Sequence, residues 1–582
     1  MQKRLEKKAK SFQQHDVESQ NNVAAESEKD ISQDCDAVPQ NEGTGEVQYE
    51  IKSPYYDNKF LSWFLFPVLD PVFVISDRCA QGIVAPIFIT LIFSFCVLMV
   101  FIPNIDDSLA KGDDEIQNID SGNTAWMIVS TGLVLLMTPG LAFFYGGMVS
   151  YKNIISTLMQ SFISMGIVTI LWLTVGFSLA FGDSISGIIG NPSTYFLFTN
   201  VTLAPLDIFS PTIPFALYSM FQLSFAIITP ALITGALAER MNFMAWMAII
   251  PLWIIFVYCP LCHATWHPDG FLNRWGVLDF AGGTVVHMSS GFAGLVGSFV
   301  LGKRHKEEDS ELGFQANLPF MMLGTALLWF GWFGFNGGSA VASNSSAVQA
   351  VLTTQVAAAS AMTVWVLIDY TRGFKIGALN ACCGAVVGLV VITPAAGFVS
   401  IGSAMLLGAI GACGCNLAVE CMKESETDDA LDAFGCHGVG GALGIFLTGC
   451  FAQKELGGAD GLIFGGHDLF WKHCIVLVLV PIPVMVLTWL IMRFVGLFLP
   501  LRVSIIEERV GLDVAAHGEE APLARFIHAS SGNLSYYESL RDTSSPNRRS
   551  IGRRTPTTTT EISDGGERKP ITHVPSEGAF EF

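Results

Sequence analysis

Leu278-Asp279-Phe280-Ala281-Gly282-Gly283-Thr284-Val285-Val286-His287-Met288-Ser289-Ser290-Gly291-Phe292-Ala293-Gly294 sets one carboxylate and one imidazole inside a run of small and apolar residues. A second stretch, Asp432-Ala433-Phe434-Gly435-Cys436-His437-Gly438-Val439-Gly440-Gly441-Ala442-Leu443-Gly444, echoes it. Each histidine is followed by glycine four residues on (Gly291, Gly441) and seven on (Gly294, Gly444). An acidic residue precedes each, Asp279 and Asp432. Four and seven are helical spacings, so each histidine shares with its glycines a face that another helix can approach closely. The pattern predicts that His287 and His437 face each other inside a membrane pore.

The rest of the chain reads as membrane. It has 582 residues, 51% hydrophobic and 14% charged, where a soluble domain is about a quarter charged. The apolar runs are long and continuous, which favours α-helical spans over the alternating strands of a barrel. A net charge of −19 argues against nucleic acid as a partner. Most of the 13 cysteines fall in apolar runs, where cysteine acts as a small hydrophobe. Cys259-Pro260-Leu261-Cys262 spells CxxC but lacks a second pair at zinc spacing. No metal, cofactor or enzymatic chemistry is expected. The polar start, to about Glu50, shows no cleavable signal peptide.

Residues 1–58 are polar and acidic and read as a disordered cytoplasmic N-terminus. Residues 59–123 hold an aromatic interfacial patch at Phe60–Pro67, an extra span at Ile83–Pro103 and an acidic extracellular linker. A core over 124–500 follows, then a C-terminal segment and disordered tail over 501–582. Core spans are expected at 124–151, 154–181, 214–237, 243–266, 279–301, 317–337, 346–369, 376–396, 398–421, 434–452 and 472–499. Lys152, Arg240, Lys303-Arg304-His305-Lys306, Arg372, Lys375, Lys423 and Arg502 then share one side, which the positive-inside rule makes cytoplasmic. Both termini are therefore expected inside, in a multi-pass protein of the plasma membrane.

An internal repeat orders these spans. Leu135-Leu136 and Gly146-Gly147 in the first core span match Leu327-Leu328 and Gly337-Gly338 in the sixth. The histidines lie in the fifth and tenth. Two units of five helices have opposite topologies, the inverted-repeat architecture of transporters, with a site near the midplane.

The chemistry of the candidate residues follows from that setting. Two neutral imidazoles satisfy each other when one ring N–H donates to the other's bare nitrogen, leaving the outer nitrogens for a small polar solute. Asp279 has two readings, a buried carboxylate that favours a cation and an N-cap; for Asp432 the cap suffices. Trp266, Phe221 and Phe335 are candidates for cation–π contact, with the Ser339 hydroxyl as acceptor, and each ring singly also fits the interfacial aromatic belt.

Over about 124–520 the chain resembles the ammonium transporter (Amt/Mep/Rh) family. The resemblance rests on Asp279–His287, Gly235-Ala236-Leu237-Ala238-Glu239-Arg240, Gly331-Trp332-Phe333-Gly334-Phe335-Asn336, Phe434-Gly435-Cys436-His437-Gly438-Val439 and the tail segment Glu507–Glu519. It implies an all-α polytopic fold of eleven helices with a 5+5 inverted repeat, here with one extra N-terminal transmembrane helix, assembled as a homotrimer in the lipid bilayer. It implies ammonium recruitment at Trp266, Phe221 and Ser339 with Asp279 in support, a gate of Phe221 and Phe335, and a twin-histidine pore of His287 and His437. Trp266 places the chain in the Amt/Mep branch. Ammonia would pass with or without the proton.

Departures from the family pattern are the added N-terminal span, Ala515 where many plant members carry threonine, and a Ser/Thr-rich tail with kinase-like Arg548-Arg549-Ser550 and Arg553-Arg554-Thr555. Asn200-Val201-Thr202 spells a glycosylation acceptor in an expected outer loop. The competing functions are an ammonium sensor signalling through its tails and an intramembrane metal enzyme or metal carrier using His287 and His437.

Overall fold

The computed structural model describes residues 85–101, 118–305 and 317–521. The expectations for residues 1–58, the aromatic patch, most of the acidic linker and the tail beyond Ala521 lie outside them. Helix α1 is Ala85–Phe101. The core helices are α2 Ser121–Met148, α3 Ile154–Phe181, α4 Phe215–Leu237, α5 from Phe243 to Trp266, α6 Gly283–Leu301, α7 Leu318–Gly338, α8 Ser345–Thr371, α9 Ala378–Ile392, α10 Ile401–Glu424, α11 Phe434–Phe451 and α12 His467–Gly496. Every expected core span is a helix. Among the described residues ten helices are long and apolar enough to cross a membrane; α9 and α1, which falls within the expected extra span, are shorter. The span expected over 376–396 is helical only over Ala378–Ile392, with turns after it.

Local chemistry sets where the helices begin. Asp120 accepts from Asn123 N at 2.7 Å at the start of α2, Asn317 from Phe320 N at 3.0 Å at α7, and Asn344 from Ala347 N at 3.0 Å at α8. Each bond satisfies one donor that a helix start leaves orphaned. Among the described residues four π turns occur in the helices, at Trp172–Gly176, Ile254–Tyr258, Gly283–Met288 and Phe434–Gly438. Such turns often mark functional segments.

The repeat is visible in the packing of α2 on α7. A Cβ at Gly338 would lie 2.7 Å from Ser130 Cβ, one at Gly331 2.3 Å from Met137, one at Gly324 2.2 Å from Phe144 N, and one at Gly147 2.4 Å from Met321 N. As one number falls the other rises, so the helices run antiparallel with their backbones nearly touching. Antiparallel contact between the first helices of the two units is what a pseudo-two-fold axis in the membrane plane produces. Helix α4 is buried almost along its whole length, packed by α2, α3 and α6.

The basic loops gather at one end. Arg304 donates to Glu239 at 2.7 Å and to Asp428 at 2.8 Å. Arg240 donates to the carbonyls of Gly302, Ala238 and Asp428, and Arg502 pairs with Glu508 at 2.8 Å. Two short helices, α13 Ile505–Val510 and α14 Leu512–His517, dock here. Asp513 accepts from Ser156 N at 2.8 Å, at the start of α3.

Candidate functional site

His287 sits in the π turn that opens α6, and His437 in the one that opens α11. Both are buried, and Nδ1 of one lies 3.3 Å from Nδ1 of the other. The rings stand 5.4 Å apart, 17° from parallel. Glycine makes the approach possible. A Cβ at Gly291 would lie 2.1 Å from Gly438 N, and one at Gly441 would lie 2.9 Å from Met288 N. The second glycines face other helices, Gly294 against Ala236 and Gly444 against Pro394.

An Nδ1–Nδ1 hydrogen bond needs one ring protonated on Nδ1 and the other bare there. Two neutral rings so joined present unlike outer nitrogens, one bare Nε2 and one Nε2–H. Among the described residues Nε2 of His287 has no hydrogen-bond partner. His287 is further stacked on Trp332 at 5.4 Å and on Phe335 at 5.9 Å.

Carboxylates hold the start of each histidine segment. Asp279 accepts from the backbone N of Gly282, Gly283 and Thr284 at 2.9, 2.7 and 2.8 Å, and from Thr284 Oγ1 at 2.5 Å. Its carboxylate caps the backbone at the start of that segment, eight residues before His287. The counterpart eight residues before His437 is Asp429, which accepts from Ala433 N, Phe434 N and Gly435 N at 3.0, 2.8 and 3.3 Å. The cap expected at Asp432 is therefore corrected to Asp429. Asp432 has φ +56° and among the described residues its carboxylate makes no cap bond. Burial raises the Asp429 carboxyl to about 6 even though the three backbone donors pull it down. Burial, then the neighbouring Asp429, raises Asp432 to about 7.

At the Trp266 end a cavity of about 190 Å³ opens, with Trp266, Phe225, Gln222, Tyr218 and Ser339 among its lining. Trp266 ends α5, and its indole N–H donates to the Asp279 carbonyl at 3.1 Å, which fixes the ring. The Ser339 hydroxyl donates to the Phe335 carbonyl at 2.7 Å, so its lone pairs remain for a donor. Phe225 stands 5.7 Å from Trp266 and 4.4 Å from Phe335. From Phe335 the rings continue to His287 and His437.

Trp266 and Ser339 thus share one cavity, Phe335 lies next to it, and the histidines meet. Phe221 differs from expectation. Its ring packs on Gly338 and edges Phe225 at 4.9 Å, and the ring between Trp266 and Phe335 is Phe225, one helical turn on. Sequence reasoning passed over Phe225, Gln222, Trp332 and Asp429. Phe225 had a signal, since it lies four residues from Phe221 on the same helix face. Asp429 had one in its spacing of eight, shared with Asp279. Among the described residues no group of three or more His, Cys, Asp or Glu is placed to hold a metal ion.

The model of the Ammonium Transporter Family matches residues 125–522. An ammonium transporter of Bacillus subtilis is 46% identical over 403 residues, which is 69% of this chain and 98% of that one. An ammonium transporter of Aquifex aeolicus is 44% identical over 405 residues, 69% of this chain and 94% of that one. Among solved structures, Mep2 of Saccharomyces cerevisiae is 34% identical with a TM-score of 0.61, covering 65% of this chain and 86% of that chain. A chain described as a sensor Amt protein is 29% identical with a TM-score of 0.62, covering 68% and 98%.

Proposed function

The chain belongs to the ammonium transporter family, and from that premise we propose that it recruits ammonium at the Trp266 cavity and conducts ammonia past His287 and His437. The observation that carries this is the unbroken file of rings from Trp266 through Phe225, Phe335 and His287 to His437. Ammonium is a small cation whose dehydration is costly. Two ring faces and the Ser339 oxygen offset part of that cost at the mouth. Beyond Phe225 and Phe335 the file is buried, and full charge transit through it is expensive. Loss of a proton gives neutral ammonia, which can donate to a bare imidazole nitrogen and accept from an imidazole N–H. The unlike outer nitrogens of the pair supply both.

In this reading Trp266, Phe225 and Ser339 bind the cation, and Phe225 with Phe335 forms the gate. Phe221 backs Phe225, and Asp279 acts through Trp266 and the α6 cap. The pore serves each subunit of a homotrimer in the plasma membrane, with both termini in the cytoplasm. The test is a solid-supported-membrane current recording on the purified protein with ammonium and methylammonium. A saturable ammonium-dependent signal is expected, and its absence from folded protein would overturn the reading. The likeness to the sensor Amt protein favours one second reading, an ammonium sensor. Deleting the residues after Ala521 discriminates: full uptake with loss of an ammonium-dependent cellular response is the sensor result.

A further inference from the structure

We propose that Gln222 is a further ligand for the ammonium ion, its carboxamide oxygen standing beside Ser339 as a second neutral acceptor; this rests on the ammonium reading above. Tyr218, Gln222 and Phe225 are spaced to lie on one face of α4, and all three line the cavity that Trp266 and Ser339 share. Gln222 is 8% exposed. Its Oε1 is buried, and among the described residues it has no hydrogen-bond partner. An amide oxygen left without a donor is costly in a buried site, and in a residue that lines the cavity it points to a donor that arrives from there.

The other polar groups at this mouth are already committed. The Trp266 indole N–H is held by the Asp279 carbonyl. The Asp279 carboxylate is taken by four donors. The Ser339 proton is held by the Phe335 carbonyl. Among the residues that line the cavity, Ser339 keeps its lone pairs and Gln222 keeps Oε1 without a donor among the described residues. Ammonium brings four tetrahedral N–H donors. Two meet these oxygens while the remaining edges rest on Trp266 and Phe225. Both oxygens are neutral, so they replace hydration without trapping the ion as a carboxylate would. A purely packing role for Gln222 would be met by any side chain of its size.

The experiment compares wild type with Gln222→Met and Gln222→Glu by ammonium-dependent currents over a concentration series. Half-saturation does not depend on how much protein folds. Gln222→Met keeps the volume and removes the oxygen, and it should raise the half-saturating ammonium concentration about tenfold or more, the size of one hydrogen bond to a charge. Gln222→Glu restores an acceptor and should bring half-saturation back to the wild-type value or below. A variant without current is read by calorimetric ammonium binding instead, with the same expected order. Wild-type half-saturation in Gln222→Met, or equal weakening in both variants, would overturn the assignment. Absence of any ammonium response in wild type would instead overturn the ammonium reading itself.

Discussion

Nδ1 of His437 lies 3.3 Å from Nδ1 of His287, although the two residues belong to opposite halves of the repeat. Removing one ring leaves the other without its partner and opens the file. His437→Ala should therefore leave a folded protein whose ammonium transport is reduced about tenfold or whose selectivity is changed, consistent with the loss of one buried polar contact. Uptake kinetics and cation competition measure this. Unaltered kinetics with unaltered selectivity would remove the pair from the pathway.

Trp266 meets Phe225 edge to face, and both rings line the cavity. A cation over an aromatic face gains about 0.5–2 kcal/mol. Trp266→Leu should accordingly raise the half-saturating ammonium concentration by roughly two- to thirtyfold and weaken discrimination among ammonium-like cations. If competition by methylammonium stays as in wild type, the ring is part of the interfacial belt and not of the site.

Gly291 leaves no room for a side chain, because a Cβ would lie 2.1 Å from Gly438 N. Gly291→Ala should cost about 1–3 kcal/mol or more, the range for overpacking against a fixed neighbour. Gly166, also helical, has nothing within 4 Å of its virtual Cβ, so Gly166→Ala should be tolerated. Thermal stability of the detergent-solubilised variants gives the comparison, and equal midpoints would refute it.

Asp429 and Asp432 are three residues apart with different tasks. Asp429→Ala removes three backbone bonds at the start of the His437 segment and should cost about 1–2 kcal/mol, as a lost cap does. Asp432→Ala should cost less. The reverse order in a stability assay would mean that the cap had been assigned to the wrong carboxylate.

Docking of α14 should tighten on acidification. Burial raises the Asp513 carboxyl from 3.8 to about 6, against the pull of backbone donors at the start of α3. A raised carboxyl disfavours the ionised form in the docked state, so its contribution is whole below 3.8 and fades as pH rises through about 6. Amide exchange across Leu512–His517, corrected for intrinsic rate, should slow on passing from pH 7 to pH 5. Faster exchange at pH 5 would reverse the sign and reject the claim.

The helices and the repeat were legible because length, apolarity and glycine spacing are local properties of the chain. Gly291 and Gly441 announced a close crossing, and the backbones do cross there. The mouth was less legible. Phe221 and Phe225 share a helix face, and only the neighbours on α5 and α7 decide which ring meets Trp266 and Phe335. Asp432 drew attention by standing close to His437, yet its left-handed backbone at φ +56° turns the chain before the helix begins, and the capping carboxylate lies one turn earlier in sequence. Gln222 gave no signal at all, since a lone glutamine in an apolar run has no periodicity to betray it.

The reciprocal glycine contacts carry a lesson for building hybrids. Gly291 admits the Gly438 backbone, and Gly441 admits that of Met288. Each half of the molecule is thus the mould in which the other's histidine is cast. A chimera that exchanges one half with a relative will keep its pore only if both histidine segments and both glycines travel as a matched set, so the unit of inheritance here is the interface and not the repeat.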